Sequence, residues 1–324
     1  MALATVVLIG NIVFLLRYLM NARLDEREFL NPQLFDDIKN DGGILADRNQ
    51  FKYLIANTEC RFESSNDPHP NFIIAVNSNP RAKEMRQTIR DSWGSYEKSA
   101  KTIFFLGVVD SEQIQEEIEA EYAEFGDIVQ GNFIDHQRNL TIKHLMILNW
   151  SVVNCLNAKY LIKIDDNVFA NVPAIGDFLA QNPLTKNFLM GTYHEPELCP
   201  REGDSKVTHE EYASDYYPAY AEGHSIIYSM DVAVMLCYKS NFVEFFWVED
   251  VFITGILRSQ INVDIEPSEK YILTRESLID MRQTTLNLPT PMNFMFSLPN
   301  LIISDQIMLW DRTEWYRLGE TNSV

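Results

Sequence analysis

Four groups of residues have types and spacings that could do chemistry. The stretch YLIKIDDNVFANV, Tyr160 to Val172, ends an apolar run on Asp165 and Asp166, with Asn167 next. Paired acids at a strand end can hold a divalent cation that bridges two phosphates. They can equally cap a following helix. In WVEDVFITG, Glu249 and Asp250 follow the aromatics Phe245, Phe246 and Trp247. A carboxylate set against aromatics can be a general base, and acids at a helix start are also ordinary partners of the helix dipole. Lys83, Arg86 and Arg90 are spaced three and four apart, so they share one helical stripe beside Met85, Ile89 and Trp93. Such a stripe suits either a diphosphate clamp or a solvated face laced with salt bridges. Finally, YYPAYAEGHSIIYS, with Tyr217, Pro218 and Gly223, reads as a shaped loop entering a strand. Its tyrosines could stack on a sugar ring or simply pack.

Those residues need elements to position them. NFIIAV reads as a buried strand, and the following residues from Arg81 to Trp93 as a helix with Pro80 at its start. TIFFLGVV is the next strand, and SEQIQEEIEAEYAEF a helix capped by Ser111. GDIVQ is a short strand, residues 139–156 are a long apolar helix, and KYLIKI is a strand that ends at Asp165. The second half is less regular. It offers a strand at SIIYSM, helices at DVAVMLCYKS and VEDVFITGILRSQ, and a terminal helix at IMLWDRTEWYRL. Strands alternating with helices imply an α/β fold with a mostly parallel central sheet covered on both faces. Ligands of such sheets bind outside the carboxyl ends of the strands, which is where Asp165 and Asp166 fall.

Composition narrows the setting. The 324 residues carry 27 basic and 46 acidic side chains, a net charge of −19. That surface repels nucleic acid, which is excluded as a partner, and an anionic ligand would need a local basic patch. Cys60, Cys155, Cys199 and Cys237 show no CxxC spacing, so a zinc site is not indicated, and disulfides and buried thiols both remain open. Residues 1–20 hold an apolar run broken by Asn11 and followed by Arg17. They fit an uncleaved signal-anchor better than a cleaved signal peptide, which wants a basic start and a small-residue cleavage site. Arg17, Arg23 and Arg27 after the run would by charge alone keep the C-terminal part cytosolic. Residues 21–65 are polar and rich in breakers. They read as a stem, with an ordered extension packed on the domain as the alternative. Asn139 (NLT) and Asn149 (NWS) are glycosylation sequons inside a buried-looking helix, so Asn139 is better read as a helix cap.

In order and spacing, RQTIRDSW, FFLG, EFGDIVQGNFID, NLTIKHLMILNW, KYLIKIDDNVF, YYPAY and EDVFITG resemble the β-1,3-galactosyltransferase family, which also includes β-1,3-N-acetylglucosaminyltransferases. The likeness runs from about Phe72 to Gly255. It implies a GT-A-like, Rossmann-type nucleotide-sugar domain over 66–312 with a tail at 313–324. It also implies a type II Golgi membrane enzyme, anchored by its N-terminal helix with the catalytic domain luminal. The enzyme would transfer galactose or an N-acetylhexosamine from a UDP donor to a glycan hydroxyl on glycoprotein or glycolipid, with inversion. Position by position, Arg86 and Arg90 match arginines near the donor. Asp165, Asp166 and Asn167 match an aspartate triplet at diphosphate and Mn²⁺, Asp165 and Asn167 falling at the metal. Asp250 matches the base, while Glu249 and the loop with Tyr217, Pro218 and Gly223 would line the acceptor side. Lys143 matches a position grouped with the donor site, without a derivable role. Cys60 and Cys155 sit where family cysteines do, and Cys199 with Cys237 could form a second pair. Two features depart from the family. Asn167 stands where an aspartate is expected, and no histidine follows His224, where the family has a late histidine near the metal. A weakened, dispensable Mn²⁺ site follows. So does an alternative in which the chain is a catalytically silent glycan-binding or scaffolding relative.

Overall fold

The computed structural model describes residues 51–57, 60, 72–96, 100–203, 205–284 and 292–321. The apolar run at 1–20 and most of the expected stem lie outside them. Among the described residues no helix is long and apolar enough to cross a membrane.

Eight strands form one sheet: β1 (Tyr53–Ile55), β2 (Phe72–Asn77), β3 (Ala100–Val108), β4 (Ile128–Ile134), β5 (Tyr160–Asp165), β6 (Leu189–His194), β7 (Tyr220–Ser229) and β8 (Glu266–Pro267). Their spatial order is β1-β4-β3-β2-β5-β7-β6-β8. Strands β4, β3, β2 and β5 are mutually parallel, and β1 and β7 pair antiparallel on either side of them. The expected α/β architecture is therefore observed, with three antiparallel pairings added at its flanks. Chain order runs outward from β2 to β3 and β4, then returns to β5 on β2's other side. That reversal makes the β2–β5 crevice the topological switch point, where open sheets of this kind bind ligands.

Alternation along β2 shows how the two faces are filled. Ile73 and Ala75 join one core with Ile142, Met146 and Trp150 of helix α3 (Leu140–Asn154). Phe72, Ile74 and Val76 join the other, with Ile89 of α1 (Lys83–Arg90) and Ile118 of α2 (Glu112–Phe125). Helix α2 starts where Ser111 Oγ accepts from Ile114 N and stops at Gly126, whose φ of +66° closes the C-terminus. Helix α4 (Val172–Gln181) starts at Asn171, whose side chain accepts from Ala174 N. Helices α5 (Met230–Lys239) and α6 (Arg275–Gln283) complete the set with α7 (Ile303–Thr321).

Four expectations fall on described residues. Within the expected stem, Tyr53 and Ile55 pair with Gly131 and Gln130 at the sheet edge, so that stretch follows the alternative of an ordered extension packed on the domain. No tail begins at 313, because α7 runs unbroken to Thr321 with Thr313 buried. Cys60 and Cys155 form a disulfide, whereas Cys199 and Cys237 do not form the second pair. Asn139 stands at the N-cap of α3, as expected, though without a side-chain cap bond; its buried amide donates to Ile134 O, which leaves no room for a glycan.

Candidate active site

At the switch point Asn77 and Asp165 are partners in the β2–β5 ladder, and Asn77 Nδ2 donates to Asp165 Oδ1 at 2.8 Å. The turn after β2 receives the neighbouring acid: Asp166 Oδ2 accepts from Ser78 Oγ at 2.8 Å and Asn79 N at 3.0 Å. Burial pushes the Asp166 carboxyl up, against the pull of those donors.

Behind Asp165 lies a cation that sequence reasoning passed over. Lys163 is buried inside β5 and donates to Asp165 Oδ1 at 2.9 Å and to Gly223 O. It also sits 3.4 Å from Glu249 Oε1. Burial alone would lower its pKa, but the charges of Asp165 and Glu249 prevail and hold it above the usual lysine range.

Glu249 and Asp250 enter the site just ahead of a π-helical segment, Val251–Leu257, a wide-turn geometry often found at functional sites. Both are half-buried, and their carboxyls meet beside Gly223 closely enough to share a hydrogen bond. Burial opposes ionisation of Glu249, but the Lys163 ammonium and His144 outweigh it and keep its carboxyl below the ordinary range. Asp250 goes the other way: burial, then the Glu249 charge and the shared hydrogen bond, push its carboxyl well up. Two carboxyls this close resist losing both protons, and their surroundings favour the ionised form at Glu249 over Asp250. His144 touches Glu249 through Nδ1 and the Tyr228 hydroxyl through Nε2 at 3.1 Å.

Gly223 explains itself sterically. A β carbon there would collide with Asp250 Oδ1 and Glu249 Oε2. Gly223→Ala should destabilise the fold by about 1–3 kcal/mol and depress turnover, because only the carboxyl pair can move aside. Melting curves and initial rates check this, and an unchanged kcat would refute the close approach.

Flanking residues make the rim. Glu222 is gripped by His224 Nδ1 at 3.0 Å and His194 Nε2 at 2.6 Å; the hydrogen bond with His224 leads in drawing its carboxyl down to about 2. The His194 ring stacks on Tyr220, whose hydroxyl donates to Glu197. Tyr217 is buried against Tyr212 and Phe246, and Pro218 packs on Gly255. These two shape the loop from behind.

The basic stripe is placed otherwise than expected. Arg86 is fully buried, bonds Glu121 twice, and donates to Asn79 O at 2.8 Å and Ser78 Oγ at 3.3 Å. It props the turn that holds Asp166. Arg90 lies further along α1, paired with Asp127 and Glu121 and stacked against Phe104 and Phe125. Glu121 of α2 and Asp127 just beyond it lie against Arg86 and Arg90, so these two arginines are internal scaffolding and not a clamp, while Lys83 is exposed. Lys143 acts similarly, joining Ser78 O to Asp135, each at 2.7 Å.

The donor set does not fit a tightly held Mn²⁺. Asp165 Oδ1 is already shared by an ammonium and an amide, and Asp166 Oδ2 is committed to the turn. Asn167 offers Oδ1, buried and without a partner, but no charge. Among the described residues no three His, Cys, Asp or Glu side chains form a metal-holding group.

The structure brings Asp165, Glu249, Asp250 and Gly223 together through Lys163, with Asp166 beside Asp165 in chain and carried by the β2 turn. It does not bring Arg90 there. A galactosyltransferase family model matches residues 84–269. Beta-1,3-galactosyltransferase 5 of Pan troglodytes is 31% identical over 234 residues, covering 70% of this chain and 74% of that one. Lactosylceramide 1,3-N-acetyl-beta-D-glucosaminyltransferase of Xenopus tropicalis is 29% identical over 263 residues, covering 76% and 66%. By both measures the chain belongs to the galactosyltransferase family and is a glycosyltransferase.

Proposed function

We propose that the chain transfers galactose or an N-acetylhexosamine from a UDP donor to a glycan hydroxyl, forming a β-1,3 linkage with inversion. The observation that carries this reading is the meeting of a half-buried carboxyl pair with a fixed, buried ammonium at the sheet's switch point. Asp250, once it has lost its proton, takes the proton of the acceptor hydroxyl as that oxygen attacks the anomeric carbon from the face opposite the departing UDP. Glu249 stays ionised and orients Asp250. Asp165 and Asp166, fixed by Asn77 and the Ser78–Asn79 turn, mark the donor side. The strand residues around Gly223, with His194, Tyr220 and Glu222, mark the acceptor side. Lys163 stands in the electrostatic place that a metal would otherwise fill. It offsets the charges of Asp165 and Glu249 so that an anionic donor can approach.

The same reading extends to setting. We propose a signal-anchor at 1–20 and a luminal Golgi domain, with the glycan acceptor presented on glycoprotein or glycolipid. The Cys60–Cys155 disulfide supports an oxidising compartment.

The test is turnover of UDP-galactose, UDP-N-acetylglucosamine and UDP-N-acetylgalactosamine by the full chain over a panel of glycan acceptors. UDP release and the product's anomeric signal are the readouts. Transfer to a β product is expected, with slow donor hydrolysis where no acceptor fits; no reaction across the panel would instead favour a silent glycan-binding role. Chelation should lower the rate by no more than about threefold, given the neutral ligand at Asn167. Asn167→Asp should make UDP binding respond to added Mn²⁺. Loss of all activity on chelation of the wild type would overturn the proposed metal independence.

A further inference from the structure

His144 is a buried ionisable group that the sequence reading did not single out, and both of its ring nitrogens are engaged. Tyr228, from β7, is fully buried, and burial together with the Glu249 and Asp250 charges keeps its phenol protonated. Its hydroxyl therefore donates to His144 Nε2. That fixes the tautomer, because Nδ1 must then carry the hydrogen that Glu249 accepts. The result is an ordered run from Tyr228 through His144 and Glu249 to Asp250, in which every buried polar group is matched.

We infer that His144 is a positioning residue for the transfer reaction: through Glu249 it decides where the carboxyl pair keeps its proton and at what pH Asp250 becomes a free base. The inference rests on the reading of Asp250 as base. Two carboxyls in contact resist ionising together. A hydrogen donated to the far side of Glu249 stabilises the doubly ionised pair; while one proton remains on either carboxyl it is shared with Asp250, which is then not a free base. The other charges facing the pair are fixed by the fold. Lys163 comes from β5, with Asp165 behind it. From β7, Tyr228 faces the pair, and Tyr220 lies close enough for the Asp250 charge to raise its pKa. On α3 itself, Lys143 is tied to Asp135. His144 is thus the neutral donor in a set otherwise made of charges and phenols; burial holds its pKa below the usual value despite Glu249.

Two readouts on the full chain test this. One is kcat/KM against pH. The other is an infrared titration of the protonated-carboxyl stretch, assigned by its disappearance in Asp250→Asn. His144→Phe removes the donor and should move the acid limb upward by about one pH unit, a tenfold lower kcat/KM on that limb. The alkaline plateau should stay within about twofold and the infrared midpoint should move in parallel. His144→Gln serves if the phenylalanine variant does not fold, because its amide reaches the Tyr228 side and leaves Glu249 without a donor. It should shift both midpoints likewise. His144→Asn, whose amide lies where Nδ1 lies, should restore them. A uniform loss of rate with an unmoved limb would reduce His144 to a packing residue and overturn the inference. If the wild type turns over no donor, the transferase reading falls, yet the infrared titration still decides: identical midpoints in His144→Phe and wild type would overturn the His144 role as well.

Discussion

Asp250→Asn is expected to lower kcat roughly a thousandfold, the usual scale of a lost general base, while making the protein more stable. Both effects come from the same proton. In the folded chain burial and the Glu249 charge hold the Asp250 carboxyl well above its ordinary value of 3.8. A carboxyl raised in this way contributes a stabilising term that is complete below the unfolded value and is lost as the pH rises through the folded one. At neutral pH and above, the wild type therefore carries a penalty that a neutral amide does not. The asparagine amide can still donate to Glu249 as the protonated acid does, so packing is kept. Melting temperatures compared at about pH 4 and pH 8 should diverge, with the variant ahead at the higher pH, and rates should collapse at both. A variant that keeps a tenth of the wild-type rate would remove Asp250 from the base role. A variant less stable at pH 8 would show that the native carboxyl is ionised after all.

Lys163→Met should cost about 3–5 kcal/mol of stability, the scale of stranding a buried charge, and should abolish donor turnover. One ammonium serves Asp165 Oδ1, Glu249 Oε1 and the Gly223 carbonyl. Without it two acids and a carbonyl face one another across the sheet's switch point with nothing between them. Methionine fills the volume, so the loss is electrostatic and not a cavity effect. Chemical denaturation of wild type, Lys163→Met and the double variant Lys163→Met/Glu249→Gln makes the point quantitatively. Removing the Glu249 charge should return a substantial part of the stability, because the two residues are coupled. Additive losses, or a single-variant loss below about 1 kcal/mol, would show that Lys163 is not the keystone of the site.

The fold was largely legible because its signals are local. Ser111 and Gly126 bracket α2, and the strands up to Asp165 announce themselves as apolar runs between breakers. The acids of the site were legible too, since carboxylates after apolar or aromatic runs are conspicuous. The residues that govern those acids were not. Lys143 and His144 sit near the start of a helix that reads as uniformly apolar, and nothing in their spacing says that Asp135 or Glu249 lies opposite. Lys163 did leave a trace. A lysine inside YLIKI, two residues before Asp165 and so on the same strand face, must find a partner if the strand is buried. The arginine stripe misled for the converse reason. Helical spacing shows that Arg86 and Arg90 share a face, but not that Glu121, 35 residues beyond Arg86, fills the space in front of them.

The sheet changes direction once inside the site, between β5 and β7. Donor-side residues hang from parallel strand ends braced by α1, α2 and α3, so almost any change there propagates into the core. The residues proposed for the acceptor side lie on the opening rungs of β7 and, for His194, at the end of β6, with the excursion at residues 195–219 between them. Cys199, Val207 and Tyr217 tie that excursion into the core, but none of its residues lies on the ladder that carries Asp165. On the proposed reading, a change of acceptor would fall on the excursion and the start of β7, and a change of donor on the parallel strand ends.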